Sequence, residues 1–139
     1  MNWREYHFPY LIHDGACYGA KWVDDIISMT ICRYYSEDEP NEIEVQFCGV
    51  EWARCTCAEE EPYDSYDSRI PISNYPMIEQ SEFQRDYKKF LAYGNLNDIC
   101  YLDQNIVFID DIMIIKCHEI KIIRAVCNPD IQSTITRIF

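Results

Sequence analysis

Two neighbouring segments in which apolar and polar residues alternate strictly constrain the fold more than any other feature of the sequence. Their apolar positions are Ile27, Met29, Ile31, Ile43, Val45 and Phe47. Because side chains alternate between the two faces of a strand, this period of two predicts a pair of half-buried antiparallel strands. A slip of one residue would carry Glu42 and Glu44 into the core, so the register of the pair is well specified.

Further short apolar runs predict more strands, and one segment predicts a helix. The predicted strands cover residues 17–22, 50–57, 99–102, 105–109, 112–117 and 120–126, with a short edge strand at 69–72 and a last segment at 131–139. In the segment 81–93, Phe83, Tyr87 and Phe90 recur at helical spacing, Ser81 is a candidate N-cap and Gly94 a candidate C-terminal stop. We therefore expect an α+β fold: a mainly antiparallel sheet or open barrel with one packed helix, as a single domain over residues 1–139.

The charge of the chain narrows the classes of partner. Its 139 residues include 24 acids and 12 bases, which gives a net charge of −12, and 48% are hydrophobic, enough for one core. Such a charge repels nucleic acid and anionic lipid, whereas a basic protein surface attracts it. No apolar run has the length of a signal peptide or a membrane helix, so we expect a cytoplasmic protein.

The negative charge is concentrated in one part of the sequence. Between Ser36 and Ser68 there are eleven acidic residues and a single base, Arg54, a balance of −10. Tyrosines beside carboxylates have the composition of a protein contact surface, although a solvated acidic loop has a similar composition. The predicted partner-binding residues are Glu37, Asp38, Glu39, Glu59, Glu60, Glu61, Tyr63, Asp64, Tyr66 and Asp67.

Motifs for catalysis or cofactor binding are weak. Eight cysteines are present, and most fall in apolar strand patterns, where we expect buried free thiols. Cys55-Thr56-Cys57 and His118 suggest an alternative zinc site, but the paired spacing of known zinc sites is missing. There is no glycine-rich phosphate loop. We therefore assign no metal, no cofactor and no enzymatic activity.

Two short segments carry a resemblance to a known class of proteins. Leu11-Ile12-His13-Asp14-Gly15-Ala16, followed by the two alternating strands and by Glu44-Val45-Gln46-Phe47-Cys48-Gly49-Val50, resembles small bacterial immunity proteins. The resemblance implies an intracellular, non-enzymatic binder that neutralises a toxin, often a nuclease.

These observations favour an inhibitory binding protein of the immunity or antitoxin kind, which covers a basic surface of its partner. Two alternatives remain at this stage. A phage-encoded acidic inhibitor of a host defence would use the same carboxylates in place of DNA phosphates. A domain that binds a small ligand or zinc would instead use a pocket in the sheet or the zinc site at Cys55, Cys57 and His118.

Overall fold

Eight strands form two four-stranded antiparallel sheets in a computed structural model, which describes residues 8–10, 12, 15–33, 38–56, 67–91, 96, 98–102, 104–110 and 112–129. The strands are β1 (Ala16–Val23), β2 (Ile26–Cys32), β3 (Glu42–Cys48), β4 (Trp52–Cys55), β5 (Ile99–Leu102), β6 (Ile106–Ile109), β7 (Met113–Lys116) and β8 (Glu119–Val126). Sheet A has the order β1-β2-β3-β8, and sheet B the order β4-β7-β6-β5. The predicted α+β class with a mainly antiparallel sheet is confirmed.

The alternating pair predicted from the sequence is β2 and β3, and its register follows the apolar pattern. Ile27 lies opposite Phe47, Met29 opposite Val45, and Ile31 opposite Ile43. All six side chains are essentially inaccessible to solvent. They pack with residues of sheet B, among them Val107, Met113 and Ile115, so the two sheets share one hydrophobic core.

Two short connections join the sheets. Residues 49–51 lead from β3 to β4, and residues 117–118 lead from β7 to β8. Main-chain hydrogen bonds hold these connections together: the Glu51 N–H donates to the Lys116 carbonyl (2.9 Å), and the His118 N–H to the Cys48 carbonyl (2.9 Å). At the β1 end of sheet A, an antiparallel bridge from Gly15 to Leu96 links the sheet to the segment before β5.

The helix predicted over residues 81–93 is present as two short pieces, and residues 92 and 93 lie outside the described ranges. Helix α1 (Gln80–Asp86) is followed, after a break at Tyr87, by the single turn α2 (Lys88–Leu91). The N-cap is Glu79 rather than Ser81, and it makes no side-chain capping bond. Phe83 is buried against Trp22 of β1, which fixes the helix on the edge of sheet A. Among the described residues, no helix combines the length and the apolar character that a membrane crossing requires.

Residues 67–78, here called the strap, cover the outer face of sheet B. The edge strand predicted at 69–72 is wrong: this part contains a 3-10 turn over Ile72–Asn74, and only Met77 forms a bridge, to Arg54 of β4. The reason is that the strap packs with its side chains instead of pairing along a strand. Tyr75 forms a second, smaller core with Phe108 and Ile114.

Candidate functional site

Three of the ten predicted partner-binding residues lie in the described part of the chain: Asp38, Glu39 and Asp67. Asp38 and Glu39 are exposed in the connection between β2 and β3, and Asp67 is the first residue of the strap. The other seven lie outside the described residues: Glu37, Glu59, Glu60, Glu61, Tyr63, Asp64 and Tyr66. The described residues therefore show where two acid-rich segments, 34–41 and 57–67, join the rest of the fold. These junctions are here called the bases of the segments.

The base of segment 34–41 is held by Arg33, the residue that follows β2. The Arg33 side chain is largely buried, its Nε donates to the Pro40 carbonyl (2.7 Å), and a guanidinium nitrogen lies 2.7 Å from a Glu39 carboxylate oxygen. The exposed thiol of Cys127 donates to the Glu39 carbonyl (3.3 Å). Glu39 is thus partly compensated by an arginine of the same chain, and its position is fixed from two sides.

Two hydrogen bonds between the Asn41 side chain and the Asn128 main chain join the same base to the end of β8. Asn41 is fully buried; its amide nitrogen donates to the Asn128 carbonyl (2.7 Å), and its amide oxygen accepts from the Asn128 N–H (2.6 Å). The Asn128 side chain in turn donates to Glu42 (3.0 Å), which also binds Arg124 (2.5 Å). The buried carboxylate of Glu42 is therefore satisfied by two partners, as a buried charge requires.

The base of segment 57–67 is held by Tyr75. Its hydroxyl accepts from the Asp67 N–H (2.6 Å) and donates to the Asp67 carbonyl (3.1 Å). The Asp67 carboxylate accepts three bonds from Arg69, one from the main-chain N–H and two from the guanidinium. These bonds from Arg69 lower the pKa of Asp67 to about 2. Asp67 is therefore charged at neutral pH, but it is shared with an exposed arginine.

Arg54, the single base in the acid-rich region, does not pair with a carboxylate among the described residues. Its guanidinium lies over the Trp52 ring, 4.9 Å from the centroid, and donates to the carbonyls of Tyr75 (2.8 Å) and Ser73 (3.2 Å). Arg54 thus fastens the strap to sheet B.

The other ion pairs among the described residues join side chains within or close to neighbouring strands, or between the two short helices. Lys116 pairs with Glu51, Lys121 with Glu119, and Lys89 with Glu82; Arg124 binds Glu42 and lies 3.9 Å from Glu44. Most of these side chains are exposed, so each pair contributes about 0–1 kcal/mol. These lysines and this arginine compensate acids that lie outside the predicted partner-binding set.

Both acid-rich segments leave the sheets at the ends remote from the two inter-sheet connections. Segment 34–41 joins β2 to β3 beyond Cys32 and Glu42, whereas the connection 49–51 follows Cys48 at the other end of β3. Segment 57–67 follows Cys55, which pairs with Met113, whereas Trp52 at the other end of β4 pairs with Lys116. The described ends of both segments are thus remote from the connections between the sheets.

Four of the described cysteines are buried as apolar residues rather than placed as reactive thiols. Cys17, Cys32, Cys55 and Cys117 are free and buried, which confirms the prediction for these four, while Cys48 and Cys100 are half-buried. Burial raises the pKa of Cys32 to about 11 and that of Cys117 to about 12. These thiols are protonated at neutral pH and poor nucleophiles.

The alternative zinc site is not assembled as expected. Cys55 pairs with Met113 at one end of β7, whereas His118 follows the other end, so the two lie ~16 Å apart at the rise of a strand. Cys57 lies outside the described residues, as do His13 and Asp14. Within the described ranges, no group of three His, Cys, Asp or Glu residues is close enough to hold a metal ion.

Sequence reasoning missed the residues that hold the bases of the two acid-rich segments: Arg33, Arg54, Asn41, Tyr75 and Asn128. Asn41 and Asn128 are far apart in the sequence, and each reads locally as an ordinary turn residue. One signal was available for Arg54, since it is the only base in an otherwise acidic region.

Comparison of the chain with protein-family models, with curated proteins and with solved structures found no match in any of the three.

Proposed function

We propose that this protein is a non-enzymatic inhibitor of the immunity or antitoxin kind, which binds a basic surface of a partner protein and occludes it. The partner would be a toxin, with a nuclease as the first candidate, because nucleases present basic surfaces to the phosphates of their substrate. The binding surface would comprise the two acid-rich segments, 34–41 and 57–67.

One observation carries the proposal: Arg54 is engaged with the strap and Trp52 instead of with a carboxylate of the described residues. It is the only base between Ser36 and Ser68, and the segments 34–37 and 57–66 contain no lysine or arginine. The acids at positions 59–61 and 64 therefore have no basic neighbour in the sequence that would compensate them. A run of carboxylates without a basic neighbour in the sequence favours attraction to a basic partner.

The hydrogen bonds at the junctions of both segments with the fold support the proposal as well. Arg33 and Asn41 fix one base, and Tyr75 and Arg54 fix the other. A surface that is ordered before binding loses less conformational entropy when the complex forms. Glu39 and Asp67 are shared with Arg33 and Arg69, so they contribute less attraction than Glu59, Glu60 and Glu61.

Binding would proceed in two stages with different physical causes. Long-range attraction between the carboxylates and the basic partner would raise the association rate constant, up to ~10⁸ M⁻¹ s⁻¹ at low salt. Tyr63 and Tyr66 would then supply buried contact area that slows dissociation. Because the inhibitor would cover the surface that the toxin uses for its substrate, no chemical step is needed.

The test is a charge reversal, Glu59→Lys, Glu60→Lys and Glu61→Lys together. The immobilised wild-type chain is used to capture interacting proteins from a lysate of the native host, and the captured basic protein is purified. We expect the reversal to lower its association rate constant at least about tenfold at low ionic strength and to flatten the dependence of that constant on salt.

The matched control makes the same change in net charge elsewhere: Glu51→Lys, Asp86→Lys and Glu119→Lys, all exposed and outside the two segments. It should retain most of the wild-type association rate. Equal association rates for both reversal variants would show that only the total charge matters, and a wild-type rate in the first variant would rule out this surface.

A further inference from the structure

The geometry points to a positioning role for the strap: Tyr75 and Arg54 together fix the place at which the acidic segment 57–67 rejoins the fold, and thereby preset the partner-binding surface. This inference rests on the proposed function. Neither residue would touch the partner's reacting groups; both act through Asp67 and the strap main chain.

The first anchor is the Tyr75 hydroxyl, which bonds both main-chain groups of Asp67. It accepts from the N–H at 2.6 Å and donates to the carbonyl at 3.1 Å, while the Tyr75 side chain is almost completely buried. A side chain that satisfies the donor and the acceptor of one residue restricts that residue in position and in orientation. Asp67 is the last of the predicted acidic and tyrosine residues, so this restriction applies directly to the surface.

The second anchor is the Arg54 guanidinium, which holds the strap from the side of β4. It bonds the carbonyls of Ser73 and Tyr75, and it lies over the Trp52 ring, 4.9 Å from the centroid. Two further main-chain bonds continue this attachment: the Cys55 N–H donates to the Pro76 carbonyl (3.0 Å), and the Ile78 N–H to the Ala53 carbonyl (2.9 Å).

The strap is attached to the outside of sheet B, and only its last residue, Ile78, belongs to the main core. Tyr75, Phe108 and Ile114 form their own cluster, with partly buried contributions from Trp52, Ile70, Ile72, Cys100 and Ile106. The residues between the sheets form a separate cluster. The attachment of the strap can therefore be weakened while the sheets keep their packing, a property that a purely structural support of the core would not have.

The test uses Tyr75→Phe, which keeps the ring in its cluster and keeps every charge. Hydrogen exchange of the Asp67 amide is measured in the full chain and should accelerate at least about fivefold, because its hydrogen-bond acceptor is lost. The matched control is Tyr87→Phe, which removes another hydroxyl that accepts a main-chain N–H, that of Gly19 at 3.1 Å. It should accelerate exchange at Gly19 and leave Asp67 unchanged.

The second measurement is the association rate constant of the captured basic protein. A residue with a structural role alone would not change this constant. Tyr75→Phe should lower the association rate constant about threefold, as expected when a preorganised surface is loosened, with an unchanged salt dependence. Arg54→Lys, which also keeps the charge, should act in the same direction. Unchanged exchange at Asp67 would overturn the anchor itself, and faster exchange with wild-type association would overturn its role in binding. Either result leaves the charge-reversal test intact, since that test alone decides whether the acids bind the partner.

Discussion

Gly49 lies in one of the two short connections between the sheets, next to His118 in the other. It adopts a left-handed backbone conformation with φ of +70° between β3 and β4, and it faces the ring of His118 in the other connection. A Cβ atom at this position would lie 3.0 Å from His118 Cγ and closer still to Cδ2. Glycine is therefore required here both by the backbone and by the space.

Replacing Gly49 by alanine should lower the free energy of unfolding by about 2–4 kcal/mol, since the left-handed backbone and the contact with His118 each cost about 1–2 kcal/mol. Urea unfolding followed by fluorescence measures the change. The change should be smaller in the double variant Gly49→Ala, His118→Ala, where the clash is relieved.

Gly19 offers a matched comparison. Its φ is +64°, yet a Cβ atom there would meet nothing within 4 Å. Gly19→Ala should therefore cost only the backbone part, about 1 kcal/mol. If Gly49→Ala and Gly19→Ala were equally costly, the contact with His118 would have no energetic weight.

At the scale of elements, the sequence predicts those parts whose structure is decided locally. The alternation at residues 27–31 and 43–47 indicated β2 and β3 with their register, because burial of one face is incompatible with any slip. The break in the predicted helix at Tyr87 was not foreseen; the hydroxyl of this residue binds the Gly19 N–H of β1. Such a contact is invisible in a helical pattern.

The strap and the bases of the acidic segments could not be predicted for the same reason. Segment 69–72 resembles an edge strand, but Arg54 binds the carbonyls of Ser73 and Tyr75 instead. The acids themselves were recognisable from their charge. What holds them depends on residues from other elements, such as Asn128 for segment 34–41.

The hydrogen bonds between the Asn41 side chain and the Asn128 main chain connect the start of β3 with the end of β8. Asn41→Ala should lower the free energy of unfolding by about 1–3 kcal/mol, because it removes two hydrogen bonds between the fully buried Asn41 side chain and the main chain of Asn128. Thermal or urea unfolding of the Asn41→Ala variant measures the change.

Both bonds go to the main chain of Asn128, so the expected loss does not depend on the Asn128 side chain, which bonds Glu42. The control is Asn74, an exposed residue of the strap, for which Asn74→Ala should change stability by less than about 0.5 kcal/mol. An unchanged free energy of unfolding in Asn41→Ala would contradict the role of these two bonds.

For the whole molecule, the net charge of −12 sets a balance between attraction to a partner and repulsion within the chain. The ion pairs of the described residues are mostly exposed and contribute little to stability. We therefore expect the melting temperature to rise between about 10 mM and 200 mM NaCl, because salt screens the repulsion.

Calorimetry over this range of salt tests the expectation. In the variant Glu59→Gln, Glu60→Gln, Glu61→Gln, the net charge changes from −12 to −9 because three carboxylates are removed, and the rise with salt should be smaller. A melting temperature that falls with salt in the wild-type chain would mean that its ion pairs stabilise it more than its repulsion destabilises it.

The order of strands in sheet A has a consequence for synthesis in the cell. Strand β3 pairs with β8, which is made only after all of sheet B. A chain that emerges from the ribosome therefore exposes the edge of β3, with its apolar face, through most of translation. Pairing over such a separation also slows folding. Nascent chains of this protein should depend on chaperones that shield the unpaired edge until the last strand arrives.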